Sequence, residues 1–292
     1  SAFEVCSNLA ILPLGHIVTL NNKALYGCTA LSYDYLSLDS CTTMGTNALY
    51  GVKVKRLNLP ILQTLPGASV NTQNYGDKSV LEEIALGSAS NIPERSFHKY
   101  SNLASVILNE NIVITIGAYA FAETLVENSL RFPNLTQLGA VAFGYSKVKR
   151  VENLGKITTL AGGGVNNGPF NNCSVLEYIR IPSSVTSIES YQFAKCYALS
   201  TIICEATTPP SLGGGFLNSV SWQTKTTIYV PDASLEAYKT ATNWNQYADR
   251  IHPLSEIEGG HITTFEGLIG AYTFEGRSNE DADRDIVEDK SG

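Results

Sequence analysis

The sequence offers few side chains whose type and spacing would support catalysis. Its four histidines are unrelated in position: His16, His98, His252 and His261. No pair of carboxylates that would share a pocket can be identified, and no nucleophile can be placed beside a base. The sequence therefore predicts a protein that is not an enzyme and that needs no cofactor.

Two short motifs resemble ligand loops but lack residues that the chemistry requires. Residues 162–164 are three glycines, yet no Gly-Lys-Ser/Thr follows, as it does in a phosphate-binding loop. Residues 281–285 read Asp-x-Asp-x-Asp, the spacing with which a calcium loop begins. Ile286 and Gly292 then stand where such a loop needs glycine and glutamate. We interpret the first motif as a plain insertion and the second as a solvated acidic run.

Four of the six cysteines share one position in a repeat described below: Cys6, Cys28, Cys173 and Cys196. This predicts small buried thiols that stack in a ladder. A disulfide between stacked neighbours is geometrically conceivable, but parallel side-chain directions disfavour it. The sequence has no C-x-x-C pair, so it predicts no zinc site.

Composition and charge exclude further classes of function. Only 16% of the 292 residues are charged, and the net charge is −7, concentrated in residues 275–290. Nucleic acid requires a basic face, so it is not an expected partner. No apolar run reaches the length of a membrane span. The chain opens inside a repeat, so we expect upstream sequence, and the lack of a signal peptide says nothing about secretion.

The elements that position these side chains come from a repeat of 22 to 27 residues. Its marker is an aromatic or apolar residue at Phe3, Leu25, Leu49, Tyr75, Phe97, Phe121, Phe143, Phe170, Phe193 and Phe216. A second apolar series stands five residues earlier, at Leu20, Met44, Val70, Ile92, Ile116, Leu138, Val165 and Ile188, and Ser211 breaks it. The shared pattern is F-x-x-C-x-x-L-x-x-I-x-I-P. A period of this length is typical of a solenoid.

Each repeat predicts one short strand and one compact return. The end of the pattern alternates apolar and polar residues, as a half-buried strand does, and its start spaces apolar residues as a helical or 3₁₀ turn does. Successive repeats must stack about 4.8 Å apart to bury their apolar faces. The predicted fold class is an α/β repeat, a curved solenoid with one parallel sheet and short helical or 3₁₀ returns.

Three parts of the chain follow from this pattern. Residues 1–226 hold about nine repeats, most of them 22–24 residues long. Residues 227–254 add a final strand and a helical cap, with Asp232 as its N-cap. Residues 255–292 form a tail. Two repeats carry extra loops, residues 66–74 and 161–169, which we expect to bulge from one edge of the solenoid.

The repeats resemble the BspA-type leucine-rich repeat proteins of bacterial cell surfaces, through residues 184–199 and 116–121. The resemblance covers roughly residues 1–254. It implies a right-handed leucine-rich-repeat solenoid that is extracellular or on the bacterial cell surface. The tail, through residues 268–276 and 286–292, weakly resembles the opening strand and D-x-S-G turn of a concanavalin A-like lectin domain.

The outward face of the predicted sheet is the candidate binding surface. Its residues vary freely from strand to strand, whereas the interior positions repeat. The candidate ligand-binding residues converge on consecutive strands: Arg131, Arg150, Glu152, Tyr178 and Arg180. Tyrosine and arginine are the side chains that most often anchor interfaces. The sequence thus predicts binding of an extracellular protein or glycan.

Two functions remain open from the sequence. The first is adhesion, in which the solenoid face recognises a macromolecule of a host or a cell surface. The second is a carbohydrate-targeting module of a surface protein that handles polysaccharides, which the lectin-like tail suggests.

Overall fold

A computed structural model of the chain describes residues 3–69, 71–162, 164, 167–217 and 226–259. The chain divides into two compact units, Ser1–Leu254 and Ser255–Gly292. The helix α2 (Ser255–Gly259) is the described part of the second unit. The lectin-like motif, the acidic run, His261, Val70 and Val165 lie outside the described residues.

Ten strands of the described chain belong to the main face of the first unit. They are β2 (Ser32–Ser37), β4 (Lys53–Leu59), β5 (Glu83–Leu86), β7 (Ser105–Leu108), β9 (Leu130–Arg131), β11 (Arg150–Asn153), β13 (Tyr178–Ile181), β15 (Thr201–Cys204), β17 (Thr227–Val230) and β18 (Ile251–Pro253). Each pairs in parallel with the strand of a neighbouring repeat. The chain is therefore a solenoid of stacked parallel strands.

The sequence predicted one continuous sheet, but the main face consists of two sheets. Strands β2, β4, β5 and β7 form a four-stranded sheet, and the six strands from β9 to β18 form another. The break falls between β7 and β9. Strand β9 has only two residues, and the segment before it, residues 125–129, is irregular. No ladder therefore joins the two sheets.

A second row of two-residue strands follows the apolar series that precedes each aromatic position. It consists of β1 (Thr19–Leu20), β3 (Thr43–Met44), β6 (Asn91–Ile92), β8 (Thr115–Ile116), β10 (Gln137–Leu138), β12 (Thr159–Leu160), β14 (Ser187–Ile188) and β16 (Ser211–Leu212). Leu212 occupies the ladder position where Ser211 was aligned, and Leu160 pairs in register with Ile188. Thr64 forms an isolated parallel bridge with Asn91 of β6, so both extra loops begin just after this row, at Leu65 and Leu160.

The returns between the two rows are hydrogen-bonded turns. Helical or 3₁₀ returns were expected, but helices in the described chain occur only within residues 232–259. Left-handed residues stand two positions before and after the aromatic residue in most repeats; around Phe97 they are Arg95 (φ 58°) and Lys99 (φ 64°). They break any helix, and they turn alternate N–H groups toward the next repeat. Phe97 N–H, for example, donates to Ala120 O at 2.8 Å.

The aromatic residues stack inside the turns. Ring centroids are 4.8 Å apart between Tyr75 and Phe97, 5.2 Å between Phe97 and Phe121, 5.1 Å between Phe121 and Phe143, and 5.8 Å between Phe143 and Phe170. All five rings are buried. This confirms the predicted line of interior aromatics as far as Phe170; Phe193 is buried too and contacts Phe216, with ring centroids 5.3 Å apart.

A short helical segment closes the C-terminal end of the solenoid. It comprises a 3₁₀ helix at Asp232–Ser234, α1 (Leu235–Thr240) and a 3₁₀ helix at Asn245–Arg250. Trp244 and Tyr247 pack on the last aromatic, Phe216, with ring centroids at 5.6 and 6.1 Å. Asp232 was expected to cap the helix with its side chain. Pro231 is instead the N-cap, without a side-chain hydrogen bond.

Candidate functional site

Strand pairing brings most of the predicted site residues together on the outward face. Arg150 and Tyr178 are register partners on β11 and β13, and Arg180 lies two residues beyond Tyr178. Since side chains alternate along a strand, all three project from the same side. The guanidinium of Arg150 lies 4.2 Å from the centroid of the Tyr178 ring. Tyr178 is consequently 8% exposed, although it is on the outer face.

The two central arginines each bind a carboxylate. Arg150 Nε donates to Glu152 Oε1 at 2.7 Å, and an Arg180 terminal nitrogen donates to Glu205 Oε1 at 2.6 Å. Arg180 Nε also donates to the Tyr178 hydroxyl at 3.3 Å. Burial opposes the charge of Arg180, but the bonds to Tyr178 and Glu205 outweigh it and raise the pKa of the guanidinium above its ordinary value. The cluster is held in one geometry before any partner binds.

Arg131 does not occupy the position that the sequence predicted. The register shifts at Glu152, so Arg131 lies opposite Asn153 instead of continuing a column with Glu152 and Arg180. A β-bulge of this kind inserts one residue and displaces the ladder beyond it. Arg131 is exposed and forms no ion pair with another described residue. Of the three arginines, Arg131 is thus the one without a carboxylate at ion-pair distance among the described residues.

Glu205 is a member of the cluster that the sequence analysis missed. It follows the last residue of β15, beyond the alternating positions that were counted as outward. Its carboxylate reaches Arg180 on the neighbouring strand. The sequence could have shown it, because Glu205 is an acidic residue at the end of the strand that neighbours the strand of Arg180. The corresponding ends of adjacent strands lie side by side in a parallel sheet.

The break in the main face opens a cavity of about 210 Å³ between β7 and β9. Its inner wall is apolar and reaches Val106, Leu130, Phe121 and Phe143. Its mouth carries Ile107, which is half exposed, and the polar side chains of Glu110 and Arg131. Burial raises the pKa of the Glu110 carboxyl, and the charge of Arg131 opposes that shift. The cavity thus passes from the outward face into the core next to Arg131.

Other titratable side chains have structural roles in the described part of the chain. His98 is nearly buried and lies 3.3 Å from Glu123; burial lowers its pKa, and Glu123 partly offsets this.

All six cysteines are free thiols. Cys6 is partly exposed, contrary to the expectation that it is buried. No group of three potential metal ligands occurs among the described residues.

The model of a known protein family matches this sequence over most of its length. The family is described as the BspA type leucine rich repeat region, and six copies match within residues 1–68, 69–150 and 159–224. No curated protein sequence matches the chain. In the described residues, no helix is both long and apolar enough to cross a membrane.

Proposed function

Because the chain belongs to the BspA-type leucine-rich repeat family, we propose that it is a non-enzymatic binding protein that recognises another macromolecule through the outward face of its main sheets. The observation that supports this most directly is the apolar cavity between β7 and β9, on the same face as an ordered arginine and tyrosine cluster that lies one and two strands away, on β11 and β13. We place the protein outside the cell or on a bacterial surface, where it acts in adhesion. We also propose that the solenoid winds right-handed, as parallel crossovers do.

The cavity and the cluster have the arrangement of an interface hot spot. Anchoring side chains of a partner fill apolar pockets, while surrounding polar groups exclude water and set orientation. A cavity of about 210 Å³ can hold one large side chain. The unpaired edges of β7 and β9 present backbone donors and acceptors to an extended segment of a partner.

Charge defines the chemistry of that segment. Arg150 and Arg180 are already bonded to Glu152 and Glu205, so they orient Tyr178 more than they attract ligands. Arg131 has no such ion pair among the described residues, and besides the nearby Glu110 it can take a carboxylate of the partner at the mouth of the cavity. We therefore propose a protein partner that presents a bulky apolar residue beside acidic residues.

A displayed library of random peptides tests this proposal. Peptides selected on the wild-type protein should share one bulky apolar residue next to acidic ones. Val106→Phe, which fills the cavity, and Arg131→Glu should each weaken the selected peptides about tenfold or more. The triple change of Arg150, Tyr178 and Arg180 to alanine should weaken them too, because it releases the cluster.

Arg56→Glu is the matched control. Arg56 is on the same face and also lies over a tyrosine, with its guanidinium 5.7 Å from the Tyr35 ring, but it is on the other side of the cavity, two strands from β7. This change should leave the peptides' affinity unaltered. Equal binding to the wild type, Val106→Phe and Arg131→Glu, all folded, would show that the outward face is not the site.

A further inference from the structure

The junction between the repeats of Phe97 and Phe121 differs from the other junctions of the main face. Strand β7 belongs to the first of these repeats and β9 to the second, and no ladder joins the two strands. Every other pair of neighbouring main-face strands in the described chain is hydrogen-bonded. The solenoid therefore has two halves, one with β2 to β7 and one with β9 to β18, which the main face does not hold together.

The turns and the second row of strands hold this junction instead. Strands β6 and β8 pair in parallel across it, and the rings of Phe97 and Phe121 stack with centroids 5.2 Å apart. Phe97 N–H donates to Ala120 O at 2.8 Å, and Lys99 N–H donates to Ala122 O at 3.0 Å. The two halves are thus attached along the turns and unattached along the main face, which is the arrangement of a hinge.

Three pairs of side chains also bridge the turns across the hinge. His98 Nε2 lies 3.3 Å from Glu123 Oε1, and Lys99 Nζ lies 3.9 Å from the same oxygen. The guanidinium of Arg95 lies over the Tyr119 ring, 4.8 Å from its centroid. Each pair joins one repeat to the next. The Glu123 carboxylate is therefore shared between a histidine and a lysine.

His98 is the member of this cluster whose charge can change near neutral pH. It is 7% exposed, and its ring lies 5.7 Å from that of Tyr119, over which Arg95, ion-paired with Glu94, also lies. When the imidazole is neutral, Nε2–H can donate to Glu123 and Nδ1 is an acceptor. Nδ1 is enclosed and has no hydrogen-bond partner among the described residues. Protonation would place a charged donor at this enclosed atom, which is unfavourable.

The surrounding groups set the direction of the pH dependence. Burial lowers the pKa of His98 from its ordinary value of 6.5, Glu123 raises it, and the charges of Lys78 and Lys99 lower it. The net shift is downward, so the folded chain binds this proton more weakly than the unfolded chain does. The contribution of neutral His98 to stability is therefore complete above about pH 6.5 and is lost as the pH falls below that value.

We propose that His98 is a pH-sensitive switch for a hinge between the two halves of the solenoid, which is closed when the imidazole is neutral and opens when it is protonated. Opening separates the turns of Phe97 and Phe121 first, because no main-face ladder resists separation there. The cavity between β7 and β9 lies at the same junction, so opening changes its width. The inference stands on the contacts of the turns and does not depend on the proposed function of the main face.

Hydrogen exchange of the whole chain at pH 7.5 and pH 5.5, corrected for intrinsic exchange rates, tests this proposal. The amides of Phe97 and Lys99 cross the hinge, and those of Phe121 and Glu123 cross the next junction, where Ala122 holds the position of the histidine. Protection of the hinge amides should fall by up to about tenfold at pH 5.5, which is one unit below the ordinary pKa of histidine. Protection at the next junction should change much less.

Matched variants assign the response to His98. His98→Asn removes the titrating group, and asparagine already holds this repeat position at Asn171, so the hinge amides should be equally protected at both pH values. Glu123→Gln should enlarge the fall toward its limit, because Glu123 raises the pKa of His98. His16→Asn changes an exposed histidine of the first repeat and should respond as the wild type does.

Three results would overturn the proposal. One is equal protection of the Phe97 and Lys99 amides at the two pH values in the wild type, a comparison that needs no variant to fold. Another is a fall in protection that persists in folded His98→Asn. The third is an equal fall at Phe121 and Glu123, which would show a general effect of acid instead of a hinge.

Discussion

At the scale of single residues, the cysteines link adjacent repeats through hydrogen bonds instead of covalent bonds. The thiol of Cys28 donates to Phe3 O at 3.0 Å, that of Cys173 to Phe143 O at 3.0 Å, and that of Cys196 to Phe170 O at 3.2 Å. Each acceptor belongs to the preceding repeat. Each of these carbonyls also accepts a backbone N–H of its own turn, so the thiol adds a second hydrogen bond that joins two repeats.

Burial of these thiols predicts their reactivity. In the native protein Cys6 should be alkylated first, because it is partly exposed, while Cys28, Cys41, Cys173, Cys196 and Cys204 should react only after denaturation. Reductant should leave the melting temperature unchanged, because all six thiols are free. Mass spectrometry after timed alkylation checks both points. Rapid native labelling of Cys173 would contradict this assignment.

The same burial predicts how stability depends on pH. Desolvation raises the pKa of Cys173 and Cys204 to about 11 from an ordinary value of 9.0. Between these values the unfolded chain loses thiol protons that the folded chain keeps, so alkali favours unfolding. The unfolding free energy should be level up to about pH 8 and fall between about pH 9 and 11. Cys204→Ala should show a smaller fall in a denaturant titration series.

At the scale of elements, the two rows of strands show what the sequence can reveal. The aromatic ladder and the strands of the main face could be predicted, because their pattern recurs in every repeat. The second row was visible as an apolar series, but a strand of two residues, such as Thr115–Ile116, is too short to show alternation. The break before β9 could not be foreseen, since Leu130 and Arg131 fit the strand pattern as well as any other pair.

The sequence predicted less of the candidate sites than of the fold. Arg150, Tyr178 and Arg180 could be aligned because they follow the strand period. Glu205 and the shifted position of Arg131 depend on strand ends and on a bulge at Glu152, which the period does not encode.

The stacked rings predict which repeats lose stability when one buried ring is removed. Phe143 contacts Phe121 and Phe170 and lines the cavity between the two main-face sheets. Phe143→Ala should lower the unfolding free energy by about 3–5 kcal/mol, since it removes a fully buried ring. Hydrogen exchange should show the loss of protection centred on β9, β11 and β13. A uniform loss across all repeats would refute nearest-neighbour coupling.

At the scale of the whole molecule, the repeats of Ser1–Leu254 form a stack whose ends must be covered. Each marker residue from Leu25 to Phe193 is buried within the stack, and Phe216 is the last marker residue of the series. The C-terminal segment covers it with Trp244 and Tyr247, and Trp244 Nε1–H donates to Pro210 O at 2.8 Å. Tyr238 donates to Ala206 O at 2.8 Å, so the cap is joined to the solenoid by hydrogen bonds as well as apolar contact.

Removal of residues 231–254 should leave the repeats folded but expose an end of the solenoid that associates with other copies. A chain that ends at Val230 leaves Phe216 and the edge of β17 uncovered, and exposed strand edges pair with other copies. We expect concentration-dependent association in light scattering, together with early exchange of the β15 and β17 amides. The milder Trp244→Ala should remain monomeric and lose protection first in the same strands. If the truncated chain stays monomeric with unchanged exchange, the stack is stabilised from within, and residues 231–254 do not act as its cap.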